Sequence, residues 1–253
     1  MRDNPGGLRS IVVTGASAGI GAAIARRLGR DGNRVALAAR RAEALAEVAR
    51  ESGNAITVVA DVTKREDVER LRDEAIRAFD AVDVWINNAG RGITRNVLDL
   101  TDADFDEMML VNVKSALYGM QAIVPHFLER GRGHLINISS FLGRVPIAAH
   151  RSAYNAAKAA LNALTANLRV DVAGKGVEVS LVMPGLVSTE FARNVIGTPS
   201  TAPPPWSPGT TAMKPQTAEE IADAVAELIE RPKAEIYTNP VSAEIVRKAY
   251  ALD

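Results

Sequence analysis

Hydrophobic positions along the chain fall into short apolar runs separated by longer amphipathic stretches. Ser10–Thr14 (SIVVT), Arg34–Ala39 (RVALAA), Ala55–Ala60 (AITVVA), Val82–Asn87 (VDVWIN), His134–Ser139 (HLINIS) and Val177–Met183 (VEVSLVM) read as buried strands, and Ala234–Thr238 (AEIYT) as a short seventh. Between them, apolar residues recur at helical spacing over Ile20–Gly32, Arg41–Ser52, Lys64–Phe79, Ser152–Ala173 and Thr217–Arg231. Two further long helices are expected between the fourth and fifth strands, one broken near Thr101 and one from about Asn112 to Arg130. A last helix is expected from Asn239-Pro240 to Asp253. Strands alternating with helices imply a parallel sheet. The near-continuous apolar character of the strands implies that both sheet faces are covered. The predicted class is therefore α/β, a doubly wound parallel sheet of about seven strands, whose ligands bind beyond the carboxyl ends of the strands. One stretch breaks the pattern: Gly197–Gly209 (GTPSTAPPPWSPG) is too rich in proline for regular structure.

Composition narrows the picture. The 253 residues suit a single α/β domain spanning 1–253, large enough to fold without a disulfide or a metal staple. The chain has no cysteine, which excludes disulfides, Cys-ligated zinc, iron–sulfur clusters and thiol catalysis, and fits a reducing compartment. Lys+Arg and Asp+Glu are both 30, with no basic stripe, so nucleic acid is not an expected partner. Met1–Gly7 lacks the apolar core of a signal peptide, and no run approaches the roughly 18 apolar residues of a membrane span. A cytoplasmic protein with no membrane partner is expected. His126, His134 and His150 lack metal-ligand spacing, so no metal is expected.

Two patterns carry chemistry. Thr14–Gly21 (TGASAGIG) follows a strand and opens a helix. Gly15, Gly19 and Gly21 allow a tight turn and close approach of backbone to a pyrophosphate, at a helix N-terminus whose free N–H groups favour anions. Ser17 could add a hydroxyl. A glycine-rich turn with no ligand would look the same. The second pattern is Tyr154-Asn-Ala-Ala-Lys158, two side chains at i and i+4 on one helix face. A nearby ammonium is expected to lower the phenol pKa from its usual value of about 10, making Tyr154 a proton donor and acceptor. The spacing also arises by chance on surface helices. Here it sits among Ala153, Ala156, Ala157, Ala159 and Ala160, small residues that permit close helix approach and a subunit interface.

The spacing Thr-Gly-x-x-x-Gly-Ile-Gly resembles the fingerprint of the short-chain dehydrogenase/reductase family. The resemblance continues through Asn87-Asn88-Ala89-Gly90, Asn112, Ser140, Tyr154, Lys158, Pro184-Gly185 and Thr189, from about residue 9 to 192. It implies a Rossmann-like fold and an oxidoreductase that moves hydride between a nicotinamide cofactor and a carbonyl or secondary alcohol. A catalytically silent NADP-sensing regulator is the alternative. Asn112, Ser140, Tyr154 and Lys158 would form the proton-transfer set, with Ser139 structural. Lys158 would also hold the nicotinamide ribose.

The same resemblance implies a cofactor site of Gly15, Ser17, Gly19, Ile20, Gly21, Asp61, Val62, Asn88, Ala89, Gly90, Pro184, Gly185, Val187 and Thr189. Asp61 would meet the adenine or cap the following turn; Asn87 would tie strands together. At the end of the second strand no carboxylate occupies Ala39, while Arg40 and Arg41 can grip a 2′-phosphate. NADP(H) is therefore expected to be preferred, with Arg40 the main contact and NAD(H) possible. Residues 191–213 correspond to the family's substrate lid, or to a connector. Phe141, Leu142, Leu186, Phe191 and Trp206 are expected to line an apolar substrate pocket. A homodimer or homotetramer would form through the helices at 104–130 and 152–173.

Overall fold

The computed structural model describes residues 7–145, 150–189, 191, 195–197 and 213–250. Seven parallel strands form one sheet in the order β3-β2-β1-β4-β5-β6-β7. They are β1 (Ser10–Thr14), β2 (Arg34–Ala39), β3 (Ala55–Val59), β4 (Val84–Asn87), β5 (Gly133–Ile138), β6 (Val177–Met183) and β7 (Glu235–Tyr237). The helices are α1 (Gly19–Arg30), α2 (Ala42–Ser52), α3 (Arg65–Phe79), α4 (Asp102–Met109), α5 (Ser115–Arg130), α6 (Ser152–Asp171), α7 (Ala218–Glu230) and α8 (Pro240–Tyr250). This is the expected Rossmann-like α/β fold. Its strand order reverses between β1 and β4, which opens a crevice at their carboxyl ends.

Successive strand residues point to opposite faces, and each face has its own core. Ile11, Val13, Val35 and Leu37 pack with Ala22, Ile24 and Leu28 of α1, Leu45 of α2 and Val225 of α7. Val12, Ala36, Ala38 and Trp85 pack with Leu71 and Phe79 of α3, Ile123 and Phe127 of α5 and Leu161 of α6. The central strands are buried throughout. The edge strands are not: Val59 of β3 is half exposed, and every residue of β7 is part-exposed. The expectation of two covered faces fails at the edges because each edge strand has a neighbour on one side only.

The connection between β4 and β5 corrects the expected break into two helices. Helical backbone runs from Asp102 to Arg130 through a π-helical turn, Leu110–Lys114. Asn112 sits in that turn, and its Nδ2 donates to the carbonyl of Met108 (3.1 Å), four residues back. A side chain thus takes up a carbonyl that the helix ladder would otherwise use, and the ladder widens there. Thr101 and Asp104 start α4 with reciprocal capping hydrogen bonds. Among the described residues, no helix is long and apolar enough to cross a membrane.

Candidate active site

The glycine-rich turn joins β1 to α1 and is held against the end of β4. Thr14 Oγ1 accepts from the backbone N–H groups of Asn88 (3.0 Å) and Ala89 (3.2 Å). The Asn88 side chain donates to the Thr14 carbonyl (2.9 Å). Gly15 has φ +67°, and a Cβ there would lie 2.8 Å from Ala89 Cα, so any side chain would meet both strain and backbone. A Cβ on Gly21 would lie 2.4 Å from the Gly15 carbonyl oxygen. The turn is a cradle in which Gly15 and Gly21 leave no room for side chains of their own, with the Asn88 amide packed against both. Thr189, beyond β6, closes its far side: its Cβ is 3.5 Å from where a Gly19 Cβ would be.

Several sequence-predicted residues take definite positions around this cradle. Arg41 Nη2 donates to Ser17 Oγ (3.2 Å) and to the Ser17 carbonyl (3.4 Å). Arg40 is exposed, and its guanidinium makes no hydrogen bond or ion pair with the described residues. Arg41, not Arg40, is the arginine that touches the turn. Asp61 Oδ1 accepts from the Thr63 N–H (3.0 Å) and hydroxyl (2.7 Å), so it organises its own turn, with Val62 beside it packed on the α3 side. Asn87 bridges strands, its Nδ2 donating to Asn137 Oδ1 (2.9 Å) and its Oδ1 accepting from Trp85 Nε1 (2.7 Å).

Asn112, Ser140, Tyr154 and Lys158 converge at the carboxyl ends of β4 and β5. Gly90 marks the meeting point: a Cβ there would lie 2.9 Å from Asn112 Oδ1 and 3.6 Å from Lys158 Nζ. Asn112 is fixed on two sides, accepting from the Arg91 N–H (3.2 Å) and donating to the Arg91 carbonyl (2.9 Å). Ser140 Oγ accepts from the Leu142 N–H (3.2 Å) and lies near enough to the Tyr154 hydroxyl to act on its pKa. Lys158 is buried; its Nζ donates to the Ile138 carbonyl (3.1 Å) and lies 5.6 Å from the centre of the Tyr154 ring. Ser139 turns away and donates to Asn162 Oδ1 (2.5 Å), a structural role.

Burial sets the electrostatics. It pushes the Tyr154 phenol up to about 12, against the opposing pull of the nearby Ser140 hydroxyl and the charge of Arg151. Burial also brings the Lys158 ammonium down to about 8. The sequence suggested a phenol lowered by Lys158. In this structure desolvation of the phenol outweighs its neighbours, and the cation acting on it is Arg151. Sequence reasoning passed over Arg151, though its position three residues before Tyr154, at helical spacing, was a signal.

The substrate side is built from the segments after β5 and β6. Val187 bridges Gln216: the Ser188 N–H donates to the Gln216 carbonyl and the Gln216 N–H to the Leu186 carbonyl, both at 2.8 Å. Gly185 backs onto Met213 and Asn239, and the Pro184 carbonyl accepts from the Phe141 N–H (3.2 Å). Phe141 is buried with Val145, Met213 and Val246, and Leu142 packs against them, so these residues form the base of this wall. Leu186 is half exposed. Phe191 lies edge-on to Tyr154, ring centres 5.9 Å apart. Gly92 and Ile196 exchange backbone contacts that tie the segment to the end of β4. Trp206 and most of the expected lid lie outside the described residues.

Comparisons with known proteins agree with this fold. A family model described as short chain dehydrogenase matches residues 9–199. An uncharacterized oxidoreductase of Staphylococcus epidermidis is 34% identical over 224 residues, covering 87% of this chain and 90% of its own. Among solved structures, an alcohol dehydrogenase of the archaeon Thermococcus sibiricus, complexed with 5-hydroxy-NADP, superposes with a TM-score of 0.79 at 28% identity, covering 93% of this chain and 98% of its own. A short chain dehydrogenase/reductase of Burkholderia phymatum in complex with NAD superposes with a TM-score of 0.83 at 26% identity, covering 95% of this chain and 92% of its own. On the matched residues and the shared fold together, the chain belongs to the short chain dehydrogenase family.

Proposed function

We propose that the chain is an NADP(H)-dependent oxidoreductase acting on a carbonyl or secondary alcohol, chiefly as a ketone reductase. The observation that carries this reading is the convergence of the neighbouring Tyr154 and Ser140 hydroxyls, a buried Lys158 and a π-turn Asn112 beside a glycine-rich cradle. The cradle fits a pyrophosphate, because Gly15, Gly19 and Gly21 put no side chain at the start of α1, whose free N–H groups favour an anion. Gly15, Ser17, Gly19, Ile20 and Gly21 would hold that end of the cofactor, and Asp61, Val62, Asn88, Ala89 and Gly90 the adenosine. Pro184, Gly185, Val187 and Thr189 would hold the nicotinamide end with Tyr154 and Lys158. When bound, the nicotinamide supplies or accepts the hydride.

Tyr154 gives a proton to the substrate oxygen during reduction and takes it back during oxidation. Ser140 donates a hydrogen bond to the same oxygen and stabilises charge developing there. Lys158 keeps two N–H donors beyond the one used on Ile138, and these hold ribose hydroxyls. Asn112 fixes the backbone of Arg91 beside Gly90 and so the floor on which Lys158 sits. Leu142, Leu186 and Phe191, over a base formed by Phe141, give an apolar wall suited to a hydrophobic substrate, with residues 191–213 as its lid within a single catalytic domain.

The absence of an acidic residue at Ala39 and the presence of Arg40 and Arg41 favour NADP(H) over NAD(H). Reduction of a panel of ketones, followed with NADPH and with NADH, tests both halves of the proposal. Higher catalytic efficiency with NADPH is expected, and a clear NADH preference overturns the cofactor assignment. For assembly, Phe105, Leu128 and Val170 leave large apolar surface exposed on α4, α5 and α6. A homodimer or homotetramer through these helices is expected in solution, measurable by light scattering. A cysteine-free chain fits a cytoplasmic location.

A further inference from the structure

Three arginines surround the mouth of the site on its substrate side, and two of them have carboxylate partners. Arg91 pairs with Glu107, and Arg95 with Asp104 (2.8 Å). Arg151 pairs with no carboxylate among the described residues. Its guanidinium is half-buried and, among the described residues, uses one of its five N–H donors, Nη1 to the Ile93 carbonyl at 3.2 Å. A desolvated cation without a counter-ion is costly, and at the N-terminal end of α6 it also has the wrong sign for the helix dipole.

The position of Arg151 is held from both sides. His150 takes a left-handed backbone conformation (φ 62°), rare for a residue with a side chain, and its carbonyl accepts from the Arg95 N–H at 2.7 Å. On the other side Ser152 Oγ donates to the Arg95 carbonyl at 2.8 Å. The guanidinium and the Tyr154 ring both lie beside Phe191. A Cβ built on Gly92 would lie 3.1 Å from Arg151 Nη1 and 2.8 Å from Phe191 Cε1, and Phe191 lies edge-on to Tyr154. Arg151 is the residue just before α6, one turn ahead of Tyr154. Its charge reaches the phenol, whose pKa it pulls down.

We infer that Arg151 is the substrate's anion-binding residue, a guanidinium fork beside Tyr154 that selects hydroxy and oxo acids over neutral alcohols and ketones. The inference rests on the reading of Tyr154 as the proton-transfer group. A carboxylate can accept two parallel N–H bonds from the fork and supply the missing counter-charge. The substrate oxygen that Tyr154 and Ser140 address then sits a few bonds from that carboxylate. The apolar wall covers the remainder.

The test uses 2-hydroxybutanoate, 3-hydroxybutanoate and 4-hydroxypentanoate with their methyl esters, oxidised with NADP by the full chain. At least one acid is expected to exceed its ester in kcat/KM by about 10-fold or more, mainly through KM. Arg151→Gln should lose about 10- to 100-fold on that acid, a loss at least about tenfold larger than on the ester, and Arg151→Lys should recover part of it. Butanoate should inhibit the wild type competitively against a neutral alcohol such as cyclohexanol and inhibit Arg151→Gln far less. Equal efficiency on acids and esters, equal losses on both in Arg151→Gln, or unchanged butanoate inhibition overturns the inference. Turnover of cyclohexanol that disappears in Tyr154→Phe sustains the underlying reading whatever Arg151 does. If no alcohol is turned over at all, both fall.

Discussion

The two ends of β5 each lie beside a buried titratable base, and the two bases are satisfied in opposite ways. At the amino end, His134 Nε2 and Ser180 Oγ lie 2.7 Å apart, and Ser180 Oγ donates to the Lys233 carbonyl at 2.7 Å. Because the Ser180 hydrogen goes to that carbonyl, His134 donates from Nε2, and the chain of donors ends on backbone. Nδ1 then carries no proton and has no partner. At the carboxyl end, Lys158 has one N–H on the Ile138 carbonyl and two to spare, beside a Tyr154–Ser140 hydroxyl pair. The amino end is a closed network that joins β5, β6 and the approach to β7. The carboxyl end is left with donors that protein groups do not use, where a doubly wound sheet binds its ligands. Burial of a polar group thus serves stability where its donors are consumed and function where they are not.

The largest effect that sharpens this contrast is expected from Tyr154→Phe. The ring stays, and with it the edge contact to Phe191 at 5.9 Å. Only the hydroxyl that moves a proton is lost. A reduction of about 10²- to 10⁴-fold in kcat/KM is expected, with the thermal midpoint within a few degrees of wild type. A variant that retains full turnover would place the open end of β5 outside the chemistry.

The closed end should reveal itself in stability against pH. Burial lowers the His134 pKa to about 4 from its ordinary 6.5. Between those values the unfolded chain binds a proton that the folded chain refuses, so stability falls as pH drops from about 6.5 toward about 4. The protonated ring would need a partner for Nδ1, which has none. At about 1.4 kcal/mol per pH unit, this single group accounts for roughly 3 kcal/mol across the window. His126 is also lowered, by its own burial and by Arg130, so the total slope is not His134's alone. Denaturant unfolding of wild type and His134→Asn at several pH values isolates the difference. The variant should be the less stable of the two at pH 7, and the gap should close as the pH falls. A gap independent of pH would remove His134 as a buried neutral base.

The strand and helix pattern was legible because apolar periodicity differs between the two. At the open end of β5, spacing pointed to Tyr154 and Lys158, and the family resemblance added Asn112 and Ser140. Other features needed coordinates. The π-turn at Asn112 arises from one side-chain hydrogen bond to Met108, which periodicity cannot encode. The upward shift of Tyr154 follows from burial, whereas spacing alone pointed to Lys158 and a downward shift. Arg41 rather than Arg40 reaches Ser17 because of how the chain turns after β2, a matter of one residue at a helix start. His134 read as one of three isolated histidines until Ser180 was found opposite it, 46 residues away in sequence.

The smallest effects come from the two serines that partner the two ends, and they set the sharpest test. Ser180→Ala removes the acceptor for His134 Nε2–H, between two buried residues, and the donor to the carbonyl of the exposed Lys233. The buried His134 N–H loses its partner, and a cost of about 1–3 kcal/mol in unfolding free energy is expected with kcat unchanged. Ser140→Ala removes a hydroxyl that accepts from the Leu142 N–H and meets the Tyr154 hydroxyl. It should lower kcat by about 10-fold or more, because a donor to the reacting oxygen is lost, while stability changes by less than in Ser180→Ala. Both serines are buried and both substitutions delete one oxygen, so loss of volume cannot separate them. What separates them is whether the oxygen's partners are all protein. If Ser180→Ala impairs turnover as much as Ser140→Ala does, the closed end is coupled to the chemistry through β5, and the division between the two ends fails.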